Sequence, residues 1–148
     1  MARDIDESAR LLVIERARRR CEYCLVHEDN AGFPHQIDHI ISRKHGGSSG
    51  IGNLAYACIL CNRYKGADIA SIDHSGRPIR LFDPRRDSWD EHFKLDGPII
   101  QPLTPVGEVT ARIRSRALSA EMKELRPPAA RICGGTSANT CQSMNALF

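Results

Sequence analysis

CEYC at residues 21–24 and CILCNRYK at residues 58–65 bound the stretch of sequence that decides the fold. Two residues separate the cysteines of each pair, so both sulfurs can reach one ion from a tight knuckle or a helix start. Four thiolates saturate a zinc ion and leave no open position, which makes the predicted zinc structural. Four buried free cysteines are the alternative, but burial alone requires no paired spacing. The predicted ligands are Cys21, Cys24, Cys58 and Cys61.

The composition is that of a soluble domain in a reducing compartment. The chain has 148 residues, of which 26% are charged and 41% apolar, and these values suit one small globular domain. No apolar run is long enough to span a bilayer, and the polar, acidic N-terminus does not resemble a signal peptide. We therefore expect a cytoplasmic protein without a membrane partner, in which Cys-x-x-Cys pairs bind metal rather than form disulfides.

Basic residues cluster around the cysteine motifs, although the formal net charge is only +3. One group directly precedes Cys21, and a second flanks the centre of the stretch. A clustered basic face predicts a polyanionic partner, whereas a solvated basic surface is the alternative, and the first group alone does not decide between them. The first group is Arg16, Arg18, Arg19 and Arg20, and the second is Arg43, Lys44, Arg63 and Lys65.

Between the cysteine motifs, local patterns predict a strand, a loop, a second strand and a helix. Residues 36–42 are rich in isoleucine, which favours a short strand. Residues 43–53 are rich in glycine and predict a loop, and residues 54–57 predict a second strand. A helix is expected to begin at Cys58 and to end at Gly66. This order is a ββα unit with one cysteine pair at each end.

The rest of the chain completes a predicted α+β domain over residues 5–118, with the ββα core at residues 20–66. Residues 119–148 are rich in small and polar residues, so we expect a poorly ordered extension, in which Cys133 and Cys141 are assigned no role. The flanking elements follow from apolar periodicity, turn residues and helix caps. They are a helix at residues 6–19, a strand at 78–82, a hairpin turning at Asp96-Gly97 and a helix from Pro105 toward Leu118.

Four polar residues lie between or beside the cysteine pairs. Asp38 and His39 are adjacent in the first strand, where unused polar groups are costly. Aspartate offers a hard oxygen ligand for Mg²⁺ or Mn²⁺, and a neutral histidine is a good general base near pH 7. Each residue alone also has a plain structural explanation: Asn53 can shape a turn, and Asn62 can cap a helix.

The whole ordered set closely resembles the HNH endonuclease family in its zinc-bearing ββα-metal form. Five elements occur in the family's order: Cys-x-x-Cys, Asp-His, Asn, a second Cys-x-x-Cys, and Asn-x-x-Lys directly after it. The resemblance covers Arg20 to Gly66, and Pro78 to about Arg116 resembles the downstream part of small bacterial or phage proteins of this type. It implies a ββα-metal fold and cleavage of DNA.

The resemblance also implies a role for each polar residue. Asp38 would bind the catalytic Mg²⁺ or Mn²⁺, and His39 would activate the attacking water. Asn53 would stabilise the loop and hold the His39 imidazole in position. Asn62 stands where many members have a final histidine and would be the second protein ligand of the catalytic ion. The residues implied to contact neighbouring phosphates are Arg43, Lys44, His45, Arg63 and Lys65.

These roles predict a metal-dependent endonuclease that hydrolyses DNA and uses no small-molecule cofactor. The histidine base would activate water, and one divalent ion would stabilise the leaving 3′ oxygen. A non-catalytic zinc-knuckle module that binds nucleic acid, or a degenerate nuclease, is the alternative. No recognition helix or second DNA-binding domain is evident, so we expect low sequence specificity, and no protein partner is indicated.

One geometric condition applies to the Asp38-His39 pair. Neighbouring residues of a regular strand point to opposite faces of the sheet. Asp38 and His39 can therefore share a site only if the strand bends or ends there, and we expect that it does.

Overall fold

The computed structural model describes residues 5–115. The predictions for residues 119–148, for Cys133 and Cys141, and for the helix beyond residue 115 lie outside the described residues. The helices and strands are, in chain order, α1 (Glu7–Arg16), β1 (Gln36–His39), β2 (Leu54–Ala57), α2 (Ile59–Lys65), β3 (Ala70–Ile72), β4 (Pro78–Arg80), α3 (Trp89–His92), β5 (Phe93–Asp96), β6 (Ile99–Pro102) and α4 (Pro105–Ser115).

Strands β1 and β2 form the predicted antiparallel pair. Gln36 lies opposite Ala57, and His39 lies opposite Leu54. All four residues of β2 are buried, because the strand is covered on both faces. Leu54 and Tyr56 pack with Val13 of α1, whereas Ala55 and Ala57 belong to the core that contains the cysteines. Strand β1 ends at His39, three residues earlier than the sequence predicted, because the backbone then turns into the loop. The amide of Ile40 still donates to the carbonyl oxygen of Asn53 (2.9 Å).

Helix α2 completes the ββα unit at the predicted place. Cys58 caps its start, and the amide of Cys61 donates to the Sγ atom of Cys58 (3.4 Å). Gly66 ends the helix with a φ of +51°, a backbone conformation that costs glycine little. The second cysteine pair therefore occupies the first turn of α2, which fixes its orientation relative to the strands.

Helix α1 packs on β2 through Val13, which is fully buried beside Leu54 and Tyr56. The helix is shorter than the predicted span of residues 6–19. Arg18 and Arg19 have φ values of +51° and +56°, so the chain leaves the right-handed helical conformation just before the first cysteine. The early end of α1 lets residues 20–24 turn back as a knuckle.

The downstream chain packs against the cysteine knuckles. The predicted hairpin is formed by β5 and β6 and turns at Gly97, whose φ is +56°. Helix α4 begins at the predicted proline, after Thr104 accepts a hydrogen bond from the amide of Gly107 (3.1 Å). Phe82, Phe93 and Ile100 share one buried core with the four cysteines.

The described residues form an α+β domain, as the sequence predicted. Strand β3 and the short helix α3 were not predicted, because three or four residues carry too little periodicity to show in the sequence. In residues 5–115 no helix has the length and apolar character that crossing a bilayer requires.

Candidate functional site

The four predicted zinc ligands converge in one buried cluster. Their Sγ atoms all lie within 4.8 Å of one another, and the Sγ atoms of Cys24 and Cys58 are 3.8 Å apart. A tetrahedral zinc with Zn–S bonds of about 2.3 Å places its sulfurs about 3.8 Å apart. The donor set and its spacing therefore fit a zinc ion, as predicted from the paired spacing. Cys21 and Cys24 come from the knuckle after α1, and Cys58 and Cys61 from the start of α2.

The surroundings shift the pKa values of the thiols in different directions. Hydrogen bonding from Cys21 lowers the pKa of Cys24 and of Cys58. Burial raises the pKa of Cys21 itself. A metal that binds all four sulfurs as thiolates would release the protons that the thiols hold.

The knuckle between Cys21 and Cys24 is held by two donors from the downstream chain. The carbonyl oxygen of Tyr23 accepts from the indole nitrogen of Trp89 (3.1 Å) and from Nη1 of Arg114 (2.7 Å). Burial lowers the pKa of Arg114, but the negative charges of the cysteines outweigh this effect and raise it above the ordinary arginine value. Neither contact was predicted, because both partners lie far along the chain in elements without a motif.

Asp38 is buried, with 5% of its surface exposed. Its carboxylate accepts a hydrogen bond from the Tyr23 hydroxyl (2.6 Å) and forms an ion pair with Lys65 Nζ (3.1 Å). Burial raises the pKa of Asp38, although Lys65 and Tyr23 oppose the shift. The carboxylate is therefore held between the cysteine knuckle and α2.

Lys65 lies inside the domain. The sequence-based prediction of a phosphate contact assumed a solvent-facing side chain, whereas 5% of Lys65 is exposed. Its Nζ also donates to the carbonyl oxygen of His39 (3.0 Å), because the α2 register directs this side chain towards β1. Lys65 thus ties the helix to both members of the Asp-His pair.

His39 ends β1 and faces the loop that follows. Its Nε2 lies 3.0 Å from the Ser49 hydroxyl, which also accepts a hydrogen bond from Nη1 of Arg43 (2.9 Å). Partial burial lowers the pKa of His39, which favours a neutral imidazole at neutral pH. Asp38 and His39 thus take separate hydrogen-bond partners. The contact of Ser49 with His39 was not predicted, because the sequence around Ser49 indicated only a loop.

Asn53 holds the loop between the two strands together. Its Oδ1 accepts from the amide of Ile41 (2.9 Å), and its Nδ2 donates to the carbonyl oxygens of Ile41 and Ser48 (both 2.8 Å). Gly47 lies directly against this clamp, since a Cβ atom there would stand 1.7 Å from the carbonyl oxygen of Ile41. The loop that carries Ser49 is therefore tied to the residues that follow His39.

Asn62 lies on α2, one turn before Lys65. Its Nδ2 donates to Oε1 of Gln36 (2.6 Å). Gln36 and Asp38 alternate along β1 and so project to the same face of the strand. Asn62 and Asp38 therefore lie at one β1–α2 interface, each with a hydrogen-bond partner of its own.

The remaining predicted phosphate contacts are on the surface. Arg43, Lys44 and His45 form a short 3-10 turn after β1, and all three are exposed. Arg63 is exposed on α2. The basic turn lies next to the His39–Ser49 contact, because Arg43 bonds Ser49 directly.

Comparison with known proteins identifies the segment that carries these features. Residues 21–68 match the family model described as HNH endonuclease. Neither a curated protein nor a solved structure matches the chain. The matched segment contains both cysteine pairs, the Asp-His pair and both asparagines, in the order on which the sequence-based resemblance rested. The family model therefore places the match to the HNH endonuclease family, which the sequence predicted, in residues 21–68, called the HNH segment below.

Proposed function

We propose that this protein is a metal-dependent endonuclease that hydrolyses phosphodiester bonds of DNA, with His39 as the general base. The observation that supports it most is the placement of His39 within the HNH segment. A partly buried imidazole with a lowered pKa ends β1, and an exposed basic turn follows it directly. A base that is neutral at neutral pH, next to cationic side chains, suits the attack of water on an anionic diester.

The proposal gives a task to each ring nitrogen of His39. Nε2 lies 3.0 Å from the Ser49 hydroxyl oxygen, which accepts from Arg43, and in the tautomer that we propose Nε2 carries the proton and donates to that oxygen. Nδ1 then carries the free electron pair and accepts the proton of the attacking water. Ser49 fixes the orientation of the ring, and Asn53 fixes the loop that carries Ser49.

Asp38 and Asn62 would hold the catalytic divalent ion. A carboxylate and a side-chain amide oxygen are hard ligands that suit Mg²⁺ or Mn²⁺. When bound, such an ion stabilises the charge that develops on the leaving 3′ oxygen. Lys65 already pairs with the Asp38 carboxylate, so an ion bound there would compete with Lys65 and would weaken this pair.

The exposed basic residues would contact the phosphates on either side of the cleaved bond. Arg43, Lys44, His45 and Arg63 are exposed, and contacts of this kind are salt-sensitive and carry no sequence information. Cleavage of low sequence specificity follows from such contacts, and the cytoplasm is the location that we propose for it. The functional unit would be residues 5–118, with residues 119–148 as an extension.

Zinc would be the structural ion of this nuclease. It would be bound by all four cysteines and would take no part in the reaction. Asn62 directly follows Cys61, so the zinc site positions a ligand of the catalytic ion. Loss of zinc should therefore abolish cleavage indirectly.

A non-catalytic module that binds nucleic acid, or a degenerate nuclease, is the second candidate. The buried Asp38–Lys65 pair favours it, because Oδ2 of Asp38 accepts from the Tyr23 hydroxyl and Oδ1 accepts from Nζ of Lys65 (3.4 Å). Such a module needs only the zinc cluster and the basic surface. It predicts binding of DNA without cleavage.

Plasmid cleavage tests the proposal. Wild-type protein, His39→Ala and the control His74→Ala are incubated with supercoiled plasmid and Mg²⁺, Mn²⁺ or chelator. We expect cleavage that needs the divalent ion and falls by about 10²- to 10⁴-fold in His39→Ala, because the general base is lost. His74 is an exposed histidine outside the HNH segment and should behave as wild type.

The outcomes separate the two candidates. Zinc content and melting temperature of His39→Ala should match the wild type, which excludes a folding defect. Cleavage by His39→Ala at the wild-type rate would contradict the assignment of the base. Plasmid that stays intact with every ion, despite measurable DNA binding, would favour the non-catalytic module.

A further inference from the structure

Arg114 is a buried cation beside the cysteine cluster. It lies on α4, and only 4% of its surface is exposed. Its Nη1 donates to the carbonyl oxygen of Tyr23 (2.7 Å), within the first cysteine knuckle. Its Nε and Nη2 are buried without a hydrogen-bond partner among the described residues. A guanidinium with two unused donors is costly to bury unless a negative charge lies close by.

The nearby negative charge does not come from a carboxylate. No Asp or Glu of residues 5–115 forms an ion pair with Arg114. Cys61 and Arg114 instead line the same small recess, together with Tyr23 and Lys65. Lys65 is paired with Asp38, so its charge is already balanced. The cysteines are therefore the anionic groups that remain for Arg114.

Metal binding makes this charge permanent. Zn²⁺ with four thiolates has a net charge of −2, because the four sulfurs contribute −4 and the ion contributes +2. A site of that charge in a buried core needs a compensating cation or donors to its sulfurs. The N–H groups on Nε and Nη2 of Arg114, together with the positive charge of the guanidinium, can supply both.

We propose that Arg114 is the counter-charge of the cysteine metal site and donates its free Nε and Nη2 hydrogens towards the thiolates. The site then extends beyond the HNH segment, since α4 supplies a positioning residue for a metal bound at residues 21–61. This inference rests on metal binding by the cysteines and not on DNA cleavage. It holds even if the protein does not cut DNA.

A purely structural role is the competing explanation. The bond from Nη1 to Tyr23 ties α4 to the knuckle, and this alone would stabilise the fold. A structural role depends on packing and on that single bond. The proposed role depends on the positive charge, so it responds to whether a substitution keeps the charge.

Cobalt substitution separates the two roles. Co²⁺ replaces zinc at thiolate sites, and its sulfur-to-metal charge-transfer band shifts to lower energy when the sulfurs lose a nearby positive charge. The full-length chain is titrated with Co²⁺ as wild type, Arg114→Gln, Arg114→Lys and the control Arg112→Gln. Arg112 lies on the same helix but is exposed, and it bonds the β3 strand instead.

We expect Arg114→Gln to bind Co²⁺ about 10- to 100-fold more weakly, as is typical when a partner of metal ligands is removed, with the band at lower energy. Arg114→Lys should recover most of the affinity and the band position, and Arg112→Gln should match the wild type. Equal behaviour of the Gln and Lys variants, or an unshifted band in Arg114→Gln, would overturn the proposal. If Arg114→Gln binds no Co²⁺, Arg114→Lys decides: binding within about tenfold of wild type supports the role, and complete loss contradicts it.

Discussion

The cysteine cluster and the His39 region lie within the same 45 residues of chain but are built in opposite ways. The four sulfurs lie within 4.8 Å of one another and are fully enclosed. The polar residues of the second region each bond a different partner: Asp38 bonds Lys65, His39 bonds Ser49, and Asn62 bonds Gln36. The four sulfurs face one another, whereas each polar residue of the second region faces a separate partner.

The difference suits the roles that we propose for the two sites. A structural zinc needs four ligands and no open coordination position, so its ligands can converge and be buried. A hydrolytic site must leave room for water and substrate, so its groups cannot satisfy one another. Their hydrogen bonds then go to surrounding residues, which set their orientation. We expect the first region to govern stability and the second to govern activity.

Removing a zinc ligand should have the largest effect. Cys58→Ser removes one ligand of the ion that would join the two cysteine pairs. The core that the cysteines share with Phe82 and Phe93 then loses the metal site on which it packs. Structural zinc contributes about 10–16 kcal/mol of apparent binding free energy in small domains, so we expect the fold to be lost at 25 °C. Circular dichroism and metal analysis measure this. Full stability without zinc would show that the cluster is not a structural metal site.

Breaking the buried ion pair that links the two regions should come next. Lys65→Met leaves the Asp38 carboxylate buried without its cation, which costs about 3–5 kcal/mol in the free energy of unfolding. Urea unfolding of the zinc-loaded protein measures the loss. Lys44→Met is the matched control, because Lys44 is exposed and should change stability little. Equal stability of the two variants would mean that Lys65 does not support Asp38.

Displacing the loop beside His39 should have the smallest effect on stability. A Cβ atom at Gly47 would lie 1.7 Å from the carbonyl oxygen of Ile41 and 2.8 Å from Nδ2 of Asn53. We therefore expect Gly47→Ala to cost about 1–3 kcal/mol and to misplace the loop that carries Ser49. Gly52→Ala is the control, since a Cβ atom there meets nothing within 4 Å.

Plasmid cleavage and melting temperature of the two glycine variants separate an effect on activity from an effect on stability. Gly47→Ala should reduce plasmid cleavage by more than its loss of stability explains, while zinc content stays at the wild-type level. Gly52→Ala should keep both properties. Unchanged cleavage in Gly47→Ala would mean that the loop does not orient His39.

Elements with strong local signals were predictable from the sequence. The cysteine pairs, the order strand–loop–strand–helix and the start of α4 after Thr104 follow from spacing, β-branched runs and cap residues. Element ends were less predictable. The early end of α1, for example, depends on positive φ values at Arg18 and Arg19, which arginine rarely adopts.

The sequence by itself determined the four-cysteine cluster, the segment that matches the HNH model and the α+β architecture, because motif spacing and local backbone preferences act over short distances along the chain. Only the tertiary structure decided which polar groups meet. The packing of the elements buries Lys65 against Asp38 and places Ser49 beside His39. It also brings Arg114 to the first cysteine knuckle, where it bonds Tyr23, 91 residues earlier in the chain. Such contacts depend on how elements pack on one another, and a motif of a few residues carries no information about a partner that far along the chain.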